Sequence, residues 1–369
     1  MEFGLIFELS VPRPFGPGVE RMVYMNALEQ IRVAEALGFS SAWCVEHHFL
    51  EEYSHASCPE MFLTAAAMQT STMRLGFGIA TCVPEINSPV KLAERAAVLD
   101  VLSNGRVDFG TGRSSTWTEL GGVGAQPQDT KKTWDEFVRT IPKMWTQERF
   151  SHHGVSYSFP ERAVLPKPVQ TPHPPLWLAV TAPGTEIDAA ERGMGSLTLS
   201  YGNISKSAKR FEKYRKIIKT AEPVGAFVNE KVATVNWMYC HEDLKSAEAK
   251  GQAMVDTFSS MAAQTMEISQ AYPSNNYGAL GLLGQLRADP DNADRKTLPD
   301  GLLVGDPQTL VKILKDWESA GVDQINMMIN SREVLEQDDV LESLRLFGRE
   351  VLPHFAKANE EKIGEQHVA

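Results

Sequence analysis

Apolar and polar positions along the chain follow two periods in turn. Short β-rich runs alternate with longer stretches whose apolar residues recur every three or four positions, which predicts a parallel sheet built from strand–helix units. Residues 3–9 predict the first strand. Ala27, Ile31 and Ala34 then repeat at helical spacing, and Gly38 stands where a residue just past a helix takes left-handed backbone. Residues 41–45 predict strand two, 60–70 a helix, 74–80 strand three, 90–102 a helix, and 106–111 strand four, with Gly105 at the intervening turn. A hairpin at 150–159 and a proline-rich connector at 166–175 precede strand five at 176–180. Strands six, seven and eight are expected at 197–200, 232–239 and 324–329.

Near the end, Asp306 and Pro307 supply N-cap and first-turn chemistry for a helix with Leu310, Ile313, Leu314 and Trp317 on one face and Gly321 at its end. Val340, Leu344, Phe347 and Val351 mark a last helix. Eight strand–helix units predict a (β/α)8 TIM barrel with insertions, one domain over residues 1–369. The stretch 271–300, rich in Gly, Pro, Asn and Asp, reads as an insertion between units seven and eight, either a mobile cover over the barrel mouth or plain disorder. A polar tail follows from about residue 358.

Composition narrows the function without naming it. A hydrophobic fraction of 43% and a charged fraction of 22% allow a large core. The net charge of −11 argues against a nucleic-acid surface, because phosphate backbones are bound by concentrated Lys and Arg. Cys44, Cys58, Cys82 and Cys240 have neither disulfide nor zinc-site spacing and read as reduced and mostly buried. The first residues carry no basic leader, and no later run reaches the ~18 apolar residues of a membrane span, so a cytoplasmic location without membrane contact is expected.

In a barrel of this type the chemistry sits at the C-terminal ends of the strands. Glu46, His47, His48 and Phe49 stand there after strand two. A general acid/base role suits this group better than metal binding, since the spacing is not HExxH and no third ligand is evident; hydrogen-bonded capping of the strand end is the simpler alternative. After strand five, Ala182, Pro183, Gly184 and Thr185 open a helix whose exposed N–H groups suit a phosphate, or form only a capped turn. The chain carries neither a GxGxxG dinucleotide turn, nor a GxxxxGK[ST] phosphate loop, nor a GxSxG nucleophile elbow. The pair His152 and His153 falls in the hairpin, away from the strand ends, and reads as solvated.

Four stretches in order carry a family resemblance: Ala-Trp-Cys-Val-Glu-His-His-Phe at 42–49, Leu-Asp-Val-Leu-Ser-Asn-Gly-Arg-Val-Asp-Phe-Gly-Thr-Gly-Arg at 99–113, Leu-Pro-Lys-Pro-Val-Gln-Thr-Pro-His-Pro-Pro-Leu-Trp at 165–177, and Val-Gly-Asp-Pro-Gln at 304–308. Together they resemble the bacterial luciferase-like monooxygenase family over nearly the whole chain. The resemblance implies an enzyme that takes reduced FMN from a separate flavin reductase. It implies that O2 then oxidises a small aldehyde, ketone, sulfide or heterocycle through a flavin hydroperoxide held in a dry cavity. It also implies a homodimer.

By the same resemblance, His47 faces the reactive side of the flavin as acid/base, and Arg113 holds its phosphate, for which a planar guanidinium is suited. Lys131 or Lys132 matches a second basic contact where the family often has Arg, with Lys132 taken as the binding residue. Thr181 and Ala182 stand where luciferases have an acidic residue and a serine, which alters the phosphate cradle formed with Gly184 and Thr185. Ser200 and Tyr201 match a polar–aromatic pair near the flavin, and Ala80 and Thr81 match a non-proline cis peptide beneath its ring. Three alternatives stay open: a deazaflavin-dependent hydride-transfer oxidoreductase of the same superfamily, a non-catalytic flavin-binding subunit, against which the intact Glu46-His47-His48 argues, and a metal-dependent barrel hydrolase using His47 and His48.

Overall fold

The computed structural model describes residues 1–355 apart from 115, 201 and 271–297. The tail from 358, Tyr201 and most of the expected insertion at 271–300 therefore lie outside the described residues.

Eight parallel staves close on themselves. β1 (Glu2–Phe7) pairs with β2 (Ser41–Cys44), and β2 with β3 (Arg74–Phe77). The ring continues through β5 (Val107–Gly112), β8 (Leu176–Val180), β9 (Gly195–Leu199), β10 (Val232–Cys240) and β12 (Gln324–Met328), and β12 pairs back onto β1. The expected strand three is broken at Gly78 and Ile79 into β3 and a short β4 (Ala80–Thr81), which pairs with the outer end of β5. A hairpin, β6 (Phe150–His153) with β7 (Ser158–Arg162), stands apart from the barrel. β11 (Leu303–Gly305) adds to the end of β10 and had no counterpart in the sequence reading.

Strand residues alternate between the barrel interior and the helical ring because side chains on a strand point to opposite faces. On β1 the odd positions meet helices: Phe3 packs edge-on against Phe347 of α10 (Gln337–Glu350) at 5.7 Å, and Phe7 against Phe62 of α2 (Pro59–Ala67) at 5.7 Å. The even positions face inward, where a Cβ on Gly4 would lie 2.1 Å from Ser41 Oγ. Trp43 and Trp177 fill the interior edge to face at 5.5 Å, and Gly76 makes room for them: a Cβ there would come within 2.1 Å of the Trp43 ring. Large against small across the interior is how a barrel packs rather than forming a pore.

Local chemistry starts and stops the helices as expected. α1 (Pro17–Leu37) ends at Gly38, whose φ of 96° a side chain would strain. α9 (Pro307–Ser319) begins at Asp306, whose carboxylate accepts the Thr309 N–H at 2.8 Å, and its Trp317 is fully buried. One reading changes. His152 is half-buried, with Nε2 2.6 Å from Glu136, rather than solvated, because the hairpin folds back on α5 (Pro127–Thr146). The cysteines are free and mostly buried, as expected: Cys44, Cys82 and Cys240 are buried and Cys58 is exposed. Among the described residues no helix is long and apolar enough to cross a membrane.

Candidate active site

The inward register of β1 runs on past the strand to Glu8, and that of β2 runs on to His47, so two adjacent staves bring a carboxyl and an imidazole to the C-terminal mouth. His47 Nε2 lies 3.6 Å from Glu8 Oε2. On its other side His47 Nδ1 lies 2.9 Å from Oε1 of Glu119. Glu119 belongs to α4 (Trp117–Gly122), a short helix that follows β5.

Glu119 is fully buried. Burial alone would raise its pKa, but His47 and the hydroxyls of Ser114 and Thr116 outweigh that and hold it below the ordinary carboxylate range. Those donors are specific: Ser114 Oγ donates at 2.7 Å and Thr116 Oγ1 at 2.8 Å to Oε2, while the His48 N–H donates to Oε1 at 3.2 Å. Burial pushes His47 down, but Glu119, Glu8 and Glu46 together carry it up to about 9. Glu8 has the opposite balance, because burial pushes its carboxyl up to about 7 while His47 and a hydrogen bond from Tyr53 only partly oppose this.

Glu46 turns away from the imidazole and organises the neighbouring stave. It accepts the Thr81 N–H at 2.6 Å and the Asn87 amide at 2.8 and 3.1 Å, and lies 3.3 Å from His48 Nε2. Ala80 and Thr81 are thereby anchored at the mouth. The cis peptide bonds among the described residues precede Pro14, Pro166 and Pro172, so the expected cis bond at Ala80–Thr81 is absent. The Glu46 anchor holds that segment as the trans strand β4 instead.

An aromatic wall continues the mouth. Tyr53 meets His47 edge to face at 5.5 Å, Phe258 of α8 (Leu244–Gln270) meets Tyr53 at 5.4 Å, and Trp237 of β10 meets Phe258 at 5.0 Å. Behind it lies a cavity of about 210 Å³ lined by Arg13, Phe49, Tyr53, Thr118, Met261 and Thr265 among others. A hollow of about 410 Å³ between α7 (Ile204–Ile217) and α9 is larger, but Arg215, Lys216, Lys219 and Gly321 line it on the outer helical ring beside the N-terminal end of β12, the end opposite the mouth. The inward-facing acid–base groups lie together at the mouth.

The expected phosphate residues gather only in part. Arg113 follows β5, and its Nη1 donates to Thr130 Oγ1 of α5 at 3.2 Å. The next residue, Lys131, forms an ion pair of 2.8 Å with Asp188 of α6 (Thr185–Glu191), which links Arg113, the start of α5 and α6 in one chain of contacts. Lys132 is exposed, with no ion pair among the described residues. At the start of α6 the Gly184 N–H donates to Glu186 Oε2 at 2.9 Å, so the helix terminus already faces one of its own carboxylates. Arg210 of α7, which the sequence reading missed, pins this turn through the Ala182 carbonyl at 3.0 Å and pairs with Glu186 at 3.4 Å. Ser200 spends its hydroxyl on the Val235 carbonyl across the β9–β10 seam at 3.1 Å.

A flavin fits what the mouth offers. Glu8 Oε2 and Thr81 Oγ1 are buried without a hydrogen-bond partner among the described residues, which is the donor and acceptor set a polar heterocycle requires, and Arg113 stands on the stave beyond. Among the described residues no group of three or more His, Cys, Asp or Glu side chains converges in a form that holds a metal ion. Glu8 and Glu119 were also missed, though both left a trace in the sequence. Glu8 continues the period of two through Gly4 and Ile6, and Thr116-x-x-Glu119 is a capping-box spacing, seen in the Glu119 N–H donating to Thr116 Oγ1 at 3.2 Å.

The model of the luciferase-like monooxygenases matches residues 1–324. The oxygenase component of a flavin-dependent trigonelline monooxygenase from Acinetobacter baylyi is 24% identical over 100% of this chain and 98% of its own. Among solved structures, the monooxygenase RslO1 of Streptomyces bottropensis is 26% identical with a TM-score of 0.75, covering 96% of this chain and 100% of that one. The oxygenating constituent of 3,6-diketocamphane monooxygenase from Pseudomonas putida, a complex with FMN, is 19% identical with a TM-score of 0.75, covering 96% and 98%; at that identity the likeness speaks for the fold.

Proposed function

The chain belongs to the luciferase-like monooxygenase family, and from that membership we propose that it is the oxygenase of a two-component system, one domain that oxidises a small organic substrate with reduced FMN and O2. The observation that carries this reading is the His47 imidazole, held between the carboxyls of Glu8 and Glu119 at the barrel mouth. When bound, reduced FMN supplies the electrons that activate O2. The protein's part is to bind, to exclude water and to handle a proton.

His47 handles that proton, with Glu119 fixing the ring through Nδ1 so that Nε2 faces the mouth. Arg113 grips the phosphate, with Lys132 at its side and Ala182, Gly184 and Thr185 as the facing turn. Ala80, Thr81 and Ser200 border the ring, where the family resemblance also puts Tyr201. The aromatic wall of Tyr53, Phe258 and Trp237 keeps the reacting space dry. A flavin reductase supplies the cofactor, as the name of the trigonelline relative supports. A homodimer is supported by the exposed apolar side chains of Met61 on α2, of Met68 just after it, and of Val98 and Val101 on α3 (Pro89–Leu102).

The test is rapid mixing of the protein with photoreduced FMN and oxygenated buffer in the presence of candidate aldehydes, ketones, sulfides and heterocycles. Substrate-dependent product carrying one added oxygen atom is expected. Turnover only with a reduced deazaflavin and without O2 would replace this reading with hydride transfer, and no affinity for FMN in either redox state would end it.

A further inference from the structure

Glu8 has no counterpart among the residues first singled out, yet it sits at the centre of the mouth. It lies two residues beyond Ile6, whose Cδ1 would lie 3.3 Å from a Cβ on Gly78, so Glu8 is on the same inner wall. Its Oε2 is buried, has no hydrogen-bond partner among the described residues, and is 3.6 Å from His47 Nε2. Leaving a buried acceptor without a donor is unfavourable, which makes such an oxygen beside a proton-bearing ring a sign of function. At 3.6 Å the two atoms stand just beyond hydrogen-bond distance, and catalytic hydrogen bonds that are long in the free protein often tighten when substrate binds.

We propose that Glu8 is the proton partner of His47, so that the acid–base unit of this site is a carboxyl–imidazole pair and not the histidine alone. The inference rests on the oxygenase reading only for what the proton is used for. In the exchange the Nε2–H bond of His47 breaks, an O–H bond forms at Glu8 Oε2, and the two charges disappear together; the reverse step restores them. Glu119 does not compete for this proton, because its oxygens already accept from His47 Nδ1, the His48 N–H, Ser114 and Thr116. The groups that face the pair are Glu119 from α4, Glu46 from the segment after β2, and the Tyr53 hydroxyl. Burial of Glu8 and the carboxylates around His47 bring the two proton affinities toward each other, to about 7 and about 9, so the pair titrates as a unit. Glu8 acts through His47 and is in that sense a positioning residue.

Histidine NMR on the flavin-free protein tests this without any turnover, using Glu8→Gln and Glu8→Asp. In Glu8→Gln the His47 ring is expected to titrate in a single step about one pH unit lower than in the wild type, where the step is broadened by its partner. Glu8→Asp should restore part of that difference. In the wild-type protein, infrared difference spectra between about pH 6 and about pH 8 should show a protonated-carboxyl C=O band that disappears, a measurement that needs no variant to fold. A His47 titration in folded Glu8→Gln that superimposes on the wild type, or the absence of that carboxyl band, overturns the proposal. Loss of FMN binding would overturn the oxygenase reading and leave these spectra unaffected.

Discussion

The Nδ1 of His47 and the Oε1 of Glu119 lie 2.9 Å apart across 72 residues of chain. The contact selects one tautomer. With Nδ1–H committed to a buried carboxylate, Nε2 is the nitrogen turned to the mouth, and the ring holds its proton to about pH 9 instead of titrating near 6.5.

Glu119→Gln keeps the shape of that contact and removes its charge. The alkaline limb of substrate oxidation should move toward lower pH by about 1–2 pH units, while the loss of a charge-assisted bond costs on the order of 1–3 kcal/mol of stability. The pH profile and a urea melt measure the two effects separately. An unmoved alkaline limb would show that Glu119 does not set the proton affinity of His47. His47→Ala should abolish substrate oxidation while keeping the fold and FMN affinity, and turnover at the wild-type rate would remove His47 from the mechanism.

Arg113→Ala tests the phosphate grip. A charge-assisted guanidinium–phosphate contact contributes roughly 1.5–3 kcal/mol, so FMN affinity should fall about 10- to 100-fold. Riboflavin, which lacks the phosphate, should bind the variant and the wild type alike in equilibrium titration. An equal loss for both ligands would mean that Arg113 supports the fold of the loop and does not touch the phosphate.

Stability should depend on pH with a definite sign. Glu8 is raised from 4.5 to about 7, so the folded state keeps its proton where the unfolded chain has lost it, and this contribution disappears as pH climbs between those values. His47, raised from 6.5 to about 9, behaves in the same way over its own window, in place below 6.5 and gone above 9. Glu119 works in the opposite direction: held below 4.5, it stabilises above that pH and ceases to do so on acidification. Subtracting the urea stability of Glu8→Gln from that of the wild type should give a curve that declines by on the order of 2–3 kcal/mol from about pH 4.5 to about pH 7. A flat difference contradicts the assignment.

Gly110→Ala tests the barrel interior. A Cβ at that position would lie 2.1 Å from the Phe77 carbonyl oxygen, a backbone atom of the adjoining stave that cannot rotate aside. The variant should lose about 1–3 kcal/mol or more, since overpacking forces β3 and β5 apart. A thermal melt within error of the wild type would show that the staves yield more easily than close packing suggests.

The barrel was legible in the sequence because its evidence is local. Apolar periods of two and of three to four, Gly38 after α1, and Asp306 with Pro307 before α9 each act within a few residues of themselves, and the elements formed within a few positions of expectation. The places that departed were those where another part of the chain decides. Strand three broke at Gly78 and Ile79, with Glu46 gripping Thr81 from the stave next door. His152 became half-buried because Glu136 of α5 lies beneath it.

From its residues alone the chain thus determined the fold class, the order of the staves and the place of Glu46, His47 and His48 at a strand end, since propensity, capping and hydrophobic alternation are properties of neighbours in sequence; the family resemblance singled out His47 among them. Only the tertiary structure decided what His47 is: the closing of the ring brought Glu8 from the first stave and Glu119 from beyond the fourth to its two nitrogens. Proton affinity depends on charge and burial within a few ångströms, and no spacing along the sequence encodes a distance that only the closed barrel creates.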